Sequence, residues 1–108
     1  MTGDELVRVF SAMASPQRLR IVAALAGGRN YVSQLARDLD MNRPLLHMHL
    51  RRLEAAGLVH GTLELSVDGK AMKYFEAVPF AVRLTPESIR QAALTLTSTE
   101  ERAHESEA

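Results

Sequence analysis

Apolar residues recur at helical spacing through the first part of the chain. Leu6, Phe10 and Met13 lie four and three residues apart, which predicts a helix with one apolar face. Thr2 and Glu5 stand in the order of a capping box, so this helix is expected to begin beside them.

A second helix is expected to begin at Ser15-Pro16, because Ser is a favoured N-cap and Pro is favoured in the first helical turn. Gly27-Gly28 is expected to end it. Its predicted apolar face comprises Leu19, Val22, Leu25 and Ala26. A third, shorter helix is predicted from about residue 32 to 39, followed by a tight turn.

The segment NRPLLHMHLRRLEAAG predicts a fourth helix, capped by Asn42 and closed by Gly57. Its apolar face comprises Leu46, His49, Leu50 and Leu53, and its remaining surface carries Arg43, Leu45, His47, Met48, Arg51 and Arg52. His47 and His49 point roughly 200° apart on a helix, so they cannot both bind one metal ion. His49 is instead expected to be half-buried, with a polar partner.

After the fourth helix the apolar residues alternate, which predicts two strands. Asp68-Gly69 stands between the alternating runs and is a strong hairpin signal. A two-residue loop there would pair Val67 with Lys70. That register places two further pairs opposite each other: Glu64 with Lys73, and Leu65 with Met72. The hairpin is expected at about residues 62–78.

Thr85-Pro86-Glu87 predicts the start of a last helix. Its apolar stripe comprises Ile89, Ala92, Ala93 and Leu96. Residues 1–98 are therefore expected to form one domain, mainly α with a β-hairpin. The polar, acidic residues 99–108 are expected to be a disordered tail.

Composition limits the classes of function. The chain has no cysteine, which excludes disulfides and thiolate metal sites. No apolar run approaches the ~20 residues of a membrane span and no leader pattern is visible, so a cytoplasmic protein is expected. Net charge is zero, but 11 basic and 8 acidic residues precede Leu84, whereas 2 basic and 5 acidic residues follow from there. This distribution permits binding to a polyanion without requiring it.

A short helix, a turn and a second helix with outward arginines form the layout of a helix-turn-helix, and the hairpin follows directly. Such a helix fits the major groove of DNA. The residues expected to contact double-stranded DNA are Asn42, Arg43, Leu45, His47, Met48, Arg51, Arg52, Lys70 and Lys73. Arg43 and His47 are predicted to read bases. The residues predicted mainly to hold phosphates are Arg51, Arg52, Lys70 and Lys73.

The run from Asn42 to Val59 resembles the string S-Q-P-T-V-S-H-H-L-x-x-L-x-x-A-G-L-V of the ArsR-type winged-helix repressors. The matching positions are Pro44, His49, Leu50, Leu53, Ala56, Gly57, Leu58 and Val59. Upstream, SPQRLRI resembles the family's DPTRLRIL segment. The resemblance covers about residues 6–78 and implies a winged helix-turn-helix of about five helices with a two-stranded wing.

The resemblance also implies a homodimeric repressor on a pseudo-palindromic operator, joined through its first and last helices. The residues assigned to the dimer interface are Leu6, Phe10, Ile89, Ala92, Ala93 and Leu96. Packing of the last helix on its own protomer alone is the alternative.

The chain departs from the metal-sensing members of that family. Tyr31 and Ser33 stand where the two cysteines of E-L-C-V-C-D-L would be. The alternative site on the last helix is reduced to His104 and Glu107, too few ligands for a structural zinc ion. No metal or other cofactor is therefore expected.

Two questions stay open at the level of sequence: the class of partner and the regulatory signal. A winged helix that contacts another protein instead of DNA is an alternative, because Leu45 and Met48 are apolar. An enzyme is not expected, since the chain lacks a Gly-rich phosphate loop, G-x-S-x-G and H-E-x-x-H. The regulatory signal is undecided between a small-molecule effector, a pH response through His47 or His60, and no effector.

Overall fold

The computed structural model describes residues 1–97, so the predicted tail at 99–108, with His104 and Glu107, lies outside the described residues. In chain order the elements are α1 (Gly3–Met13), α2 (Pro16–Ala26), β1 (Asn30–Tyr31), α3 (Val32–Asp38), α4 (Arg43–Ala55), β2 (Val59–Leu65), β3 (Ala71–Ala77) and α5 (Pro86–Ala93). This order confirms the predicted winged helix-turn-helix. One difference is the short strand β1, which makes the sheet three-stranded.

The predicted helix starts are confirmed by their capping bonds. In α1 the Glu5 N–H donates to Thr2 Oγ1 and the Thr2 N–H donates to Glu5 Oε2, each at 3.1 Å. Ser15 Oγ accepts from the Arg18 N–H of α2 at 3.3 Å. Thr85 and Ser88 cap α5 reciprocally, at 2.9 and 3.0 Å. These bonds satisfy N–H groups that lack partners within a helix, so each start is encoded locally.

Residues 9–80 and residues 1–8 with 81–97 form two compact units within the described chain. The core of the first unit is built on α4, whose Leu46, Leu50 and Leu53 are fully buried. Its predicted inner face is therefore confirmed.

The predicted inner face of α2 was partly wrong. The buried residues are Arg18, Ile21 and Leu25, whereas Leu19 is half exposed. Arg18 causes this rotation, since its side chain donates to the carbonyls of Ala12 and Ser11 at 2.6 and 3.4 Å. Ile21 and Leu25 follow it at helical spacing and share its face.

The sheet is antiparallel, in the order β1-β3-β2. We call β2, β3 and their loop, residues 59–77, the wing. It begins at Val59, three residues before the predicted start. Leu58 and Val59 are both buried in the core. In β1, Asn30 and Tyr31 pair with Phe75 and Tyr74.

The predicted hairpin register was wrong by one residue. Glu64 lies opposite Met72, Leu63 opposite Lys73, and Leu65 opposite Ala71. The loop has three residues instead of two, because Ser66 pairs with Lys70: the Ser66 N–H donates to the Lys70 carbonyl at 2.7 Å. The Lys70 N–H in turn donates to Ser66 Oγ at 3.0 Å.

Gly69 makes this longer loop possible. Its φ of +83° lies in the left-handed region, which a three-residue hairpin loop requires at its last position. The Ser66 hydroxyl also donates to the Asp68 carboxylate, which lowers the pKa of Asp68. Ser66 therefore holds the loop from its first residue.

The second unit joins the start of α1 to α5. The Gly3 N–H donates to Thr95 Oγ1 at 2.8 Å, and the Thr97 N–H donates to Asp4 Oδ1 at 3.0 Å. Helix α5 ends at Ala93, so Leu96 lies beyond the helix on which it was predicted. The N–H groups of residues 94–96 donate to carbonyls three residues earlier, which tightens the chain into turns.

Candidate nucleic-acid interface

A tight turn connects α3 to α4. Asp40 adopts a left-handed conformation with φ of +51°, and the Met41 N–H donates to the Ala36 carbonyl at 2.9 Å. Asn42 then caps α4 as predicted, because its Oδ1 accepts from the Leu45 N–H at 2.9 Å. The Asn42 side-chain oxygen is thereby engaged, while the neighbouring Arg43 is exposed. The first turn of α4 thus starts with a guanidinium that has no carboxylate partner in the part of the chain that the structure describes.

Helix α4 is anchored from behind by a buried polar network. Arg18 donates through a terminal nitrogen to His49 Nδ1 at 3.0 Å, and His49 Nε2 lies 2.7 Å from Gln17 Oε1. Arginine has no acceptor, so Nδ1 must accept and Nε2 must carry the proton. The prediction that His49 has a polar partner is confirmed, but its side chain is 5% exposed and therefore buried, not half-buried. Its ring is neutral and joins α4 to α2.

Burial lowers the pKa of His49, and the positive charges of Arg18 and Arg52 lower it further. The unfolded chain, with an ordinary histidine pKa of about 6.5, therefore binds a proton that the folded chain resists. The contribution of neutral His49 to the free energy of unfolding is complete above about pH 6.5. That contribution is lost as the pH falls toward the lower pKa that His49 has in the folded chain.

We expect the free energy of unfolding to be lower at about pH 5.5 than at about pH 7.5, because protonation of His49 favours the unfolded chain. Urea unfolding at both pH values measures the difference. His49→Gln keeps a polar side chain but removes the titration, so its pH dependence should be shallower. An equal pH dependence in both proteins would contradict this role of His49.

The outer surface of α4 carries cations that have no carboxylate partner among residues 1–97. Arg43, Arg51 and Arg52 are exposed. The only salt bridges within residues 1–97 are Arg29–Glu64 and Arg90–Glu87. Glu54, the acidic residue of α4, accepts from the Gly61 N–H at 3.0 Å. All three arginines are therefore available to an external anion.

The wing adds two more such cations. Lys70 and Lys73 are exposed, and the ammonium of Lys73 lies 5.6 Å from the centre of the Phe75 ring. The predicted Glu64–Lys73 pair does not form, since Glu64 instead binds Arg29. The observed register thus leaves Lys73 without a carboxylate partner among the described residues.

The apolar residues expected on the outer surface of α4 differ in exposure. Met48 is 37% exposed and lies on the outer surface, as expected. Leu45 is half-buried, so it is less exposed than the helical spacing predicted. His47 is exposed, as expected. The apolar part of this surface is therefore smaller than the sequence indicated.

Helix α4 and the wing meet at a notch of about 220 Å³. The side chains around it that offer polar groups are Tyr31, Ser33, Arg43, His47 and Lys73, and Ala71 closes the wing side. Arg43 and His47 come from α4 and Lys73 comes from β3, so the structure brings three predicted contact residues together. Arg51, Arg52 and Lys70 do not line this notch.

Two residues of the notch, Tyr31 and Ser33, were considered in the sequence only as replacements for metal ligands. Tyr31 lies in β1, whose two residues are too few for a periodic signal. Its ring packs edge-on against Tyr74 at 5.9 Å, and the Arg29 guanidinium lies 4.4 Å from the centre of the Tyr74 ring. No local pattern in the sequence indicated this cluster.

The residues assigned to the dimer interface lie in both units. Within residues 9–80, Phe10 is 41% exposed. Within the other unit, Ile89 and Leu96 are 44% and 42% exposed, Ala93 is exposed, Ala92 is half-buried, and Leu6 is buried. Leu6 and Ala92 line an open groove of about 710 Å³. This unit thus exposes large apolar side chains.

Two further observations concern metals and membranes. Across the described residues, no three histidine, aspartate or glutamate side chains gather to hold a metal ion. None of the helices between residues 1 and 97 is long and apolar enough to cross a membrane.

Sequence comparison identifies relatives of this chain. The family model for bacterial regulatory proteins of the arsR family matches residues 15–60. An uncharacterized HTH-type transcriptional regulator of Methanocaldococcus jannaschii is 30% identical over 87 residues, which cover 81% of this chain and 90% of that protein. The HTH-type transcriptional regulator CmtR of Mycobacterium tuberculosis is 38% identical over 74 residues, 68% of this chain and 59% of CmtR.

Comparison with solved structures agrees with the comparison of sequences. The solution structure of a homodimeric winged helix-turn-helix DNA-binding domain from Mycobacterium bovis superposes with a TM-score of 0.63 and 26% identity. The match covers 94% of this chain and 84% of that domain.

Proposed function

Because this chain belongs to the arsR family of bacterial regulatory proteins, we propose that it is a homodimeric transcriptional repressor that binds a pseudo-palindromic DNA operator. Members of this family are transcriptional regulators, not enzymes. In the proposed complex, α4 enters the major groove and the wing lies along the neighbouring backbone. The chain acts in the cytoplasm, where its operator lies.

The observation that carries the proposal is the set of unpaired cations on α4 and the wing. Each of Arg43, Arg51, Arg52, Lys70 and Lys73 lacks a carboxylate partner in the described structure, although the chain as a whole has no net charge. Unpaired cations on adjoining surfaces favour a polyanion, because binding releases counterions from the phosphates. Arg51 and Arg52 are both exposed on α4, where they can hold phosphates.

The exposed apolar residues of the second unit support a homodimer. Ile89 and Leu96 are large side chains without a full cover, and the groove beside Leu6 and Ala92 is open. Burying such side chains against a second copy would stabilise the dimer by up to about 1.5–3 kcal/mol per side chain. The relative from Mycobacterium bovis is a homodimer. Two copies related by a twofold axis would present two α4 helices to two half-sites.

Lys73→Ala is expected to weaken binding to all DNA sequences equally, because Lys73 holds a phosphate and reads no base. The slope of log K against log salt should become shallower by about one per protomer. Fluorescence-anisotropy titrations at several salt concentrations measure both effects. Arg20→Ala is the matched control, since Arg20 is exposed on α2 and lies outside the notch. A loss that depends on DNA sequence would contradict this role.

Selection from a random DNA pool tests the proposed function. The enriched sequences should be pseudo-palindromic, with half-sites about 10–10.5 base pairs apart. Sedimentation should show the mass of two chains on one such duplex. A pool that stays unenriched after repeated rounds would contradict the proposal.

A winged helix that binds another protein is the second candidate, and Met48 supports it because an exposed methionine suits an apolar partner. The half-buried position of Leu45 reduces the apolar surface available for such a partner. The surrounding unpaired arginines favour DNA instead.

A further inference from the structure

Gly61 lies within strand β2, where glycine is an unusual residue. Glycine weakens a strand, because it loses more conformational freedom on folding than other residues and offers no side chain to pack. The backbone does not require glycine here, since the φ of Gly61 lies outside the left-handed region. The reason for a glycine at this position therefore lies in what surrounds it.

Two side chains of β3 fill the space above Gly61. A Cβ atom on residue 61 would lie 2.8 Å from Cε1 and 2.9 Å from Cζ of Phe75, and 2.9 Å from Cε of Lys73. Carbon atoms in contact normally lie about 3.5–4.0 Å apart. Phe75 is buried, whereas Lys73 is exposed. A methyl group at position 61 would therefore displace the flexible lysine more readily than the buried ring.

This contact fixes where the charge of Lys73 lies. The Lys73 stem passes over Gly61, and its ammonium lies 5.6 Å from the centre of the Phe75 ring. A cation over an aromatic ring within about 6 Å of its centre is attracted to the ring. Lysine has a long, flexible stem. A stem that rests on glycine and on a buried ring has lost part of that freedom before any ligand binds, which favours binding.

Gly61 is also tied to α4. Its N–H donates to Glu54 Oε2 at 3.0 Å. Gly61 thus contacts α4 through its backbone and Lys73 through its open face. Lys73 in turn borders the notch with Arg43 and His47 of α4. The glycine therefore connects the cation of the wing to the helix that carries the other contact residues.

We propose that Gly61 is a positioning residue for DNA binding, because it seats Lys73 against Phe75 and holds the ammonium at the notch beside α4. Gly61 acts through Lys73 and makes no contact of its own with DNA. This inference rests on the proposed function, in which Lys73 holds a phosphate. The seat of Lys73 exists in the free protein, so it can be measured without DNA.

Nuclear magnetic resonance of the free protein, isotope-labelled in its lysines, tests the seat. The chain has only two lysines, Lys70 and Lys73, so Lys70 serves as the internal reference. The ring current of an aromatic side chain shifts protons above its face upfield. The Cε protons of Lys73 should therefore lie upfield of those of Lys70 in the wild type, and Gly61→Ala should abolish the difference. Coincident signals in the wild type, or a difference that survives Gly61→Ala, would overturn the inference.

Fluorescence-anisotropy titrations on the selected duplex test the consequence for DNA binding. Gly61→Ala should lower the affinity about tenfold and make the salt slope shallower by about one per protomer, as Lys73→Ala does. In a chain that already carries Lys73→Ala, Gly61→Ala should change neither quantity further. Gly27→Ala is the matched control, because a Cβ there meets only the Ala24 carbonyl oxygen, at 3.7 Å. It should bind as the wild type does.

The outcomes separate this inference from the function on which it rests. If Gly61→Ala weakens binding equally with and without Lys73→Ala, the glycine acts through the fold alone and the inference is wrong. An unchanged salt slope in Gly61→Ala would overturn it as well. A wild type that shows the upfield Lys73 signal but binds no selected duplex would overturn the proposed function, and with it the role of Gly61 in DNA binding, while the seat of Lys73 would stand.

Discussion

Arg18→Ala is expected to lower the free energy of unfolding by about 3 kcal/mol. Arg18 is 8% exposed, and its guanidinium binds the Ala12 carbonyl at 2.6 Å and His49 Nδ1 at 3.0 Å. Alanine would leave both acceptors buried without a donor, and it would remove the link between α2 and α4. Urea unfolding of the wild type and the variant measures the loss.

Arg20→Ala is the control for this prediction, because Arg20 lies two positions along α2 but is exposed. Its effect should stay within about 0.5 kcal/mol. Arg18→Lys should fall between the two, since an ammonium can replace some but not all of the guanidinium bonds. A loss below about 1 kcal/mol for Arg18→Ala would show that the network does not stabilise the fold.

Arg43→Ala is expected to cost about 1–3 kcal/mol of discrimination at one base pair of each half-site, or roughly 5- to 150-fold. Arg43 is exposed in the first turn of α4, has no carboxylate partner in the described chain and borders the notch. A guanidinium there can donate two parallel hydrogen bonds to a guanine. Competition titrations with duplexes that differ at single positions measure the discrimination.

Arg51→Ala provides the contrast for Arg43→Ala. Arg51 is also exposed on α4, but it is expected to hold a phosphate, so its loss should weaken all duplexes alike. If both variants lost affinity without any dependence on sequence, the assignment of Arg43 to base reading would be wrong.

The buried network and the exposed cations divide α4 into two functional sides. His49 and the three leucines of the inner face hold the helix on the core, while Arg43 and His47 remain outside. A helix held by packing and buried hydrogen bonds keeps its outer side chains in a defined position, which base recognition requires. Substitution of Arg18 should therefore reduce the free energy of unfolding, and substitution of Arg43 should reduce discrimination between DNA sequences.

The sequence predicted the helices well because their starts are local. The capping bonds of Thr2, Ser15, Asn42 and Thr85 depend on residues within three positions, and all four are present. The inner face of α4 was also predictable, since its apolar residues repeat at helical spacing. The end of α4 was predicted from Gly57, whose φ is +77°.

Two features that the sequence did not predict depend on side chains distant in the chain, and a third depends on a local loop. The inner face of α2 turns toward Arg18, whose partner His49 lies 31 positions later. The wing register depends on Ser66 closing a three-residue loop, whereas Asp68-Gly69 alone suggested a two-residue loop. Glu64 binds Arg29, 35 positions earlier, and no local pattern shows that pairing.

The candidate site was predictable in its residues more than in its arrangement. The outward arginines of α4 followed from the helical wheel, but the notch with Tyr31 and Ser33 required the short strand β1. The exposure of Leu63 and Leu65 could not be read from alternation, because Val59 and Phe75 are buried on the same face of the hairpin and only the outer part of that face is uncovered.

Fluorescence anisotropy of a labelled selected duplex, titrated with the full chain at several salt concentrations, tests the central claim most directly. A scrambled duplex of the same composition is the competitor. The account predicts tight binding by two chains per duplex that the scrambled DNA cannot match, with affinity falling steeply as salt rises. Equal, weak binding to both duplexes at every salt concentration would contradict it, since α4 would then read no sequence.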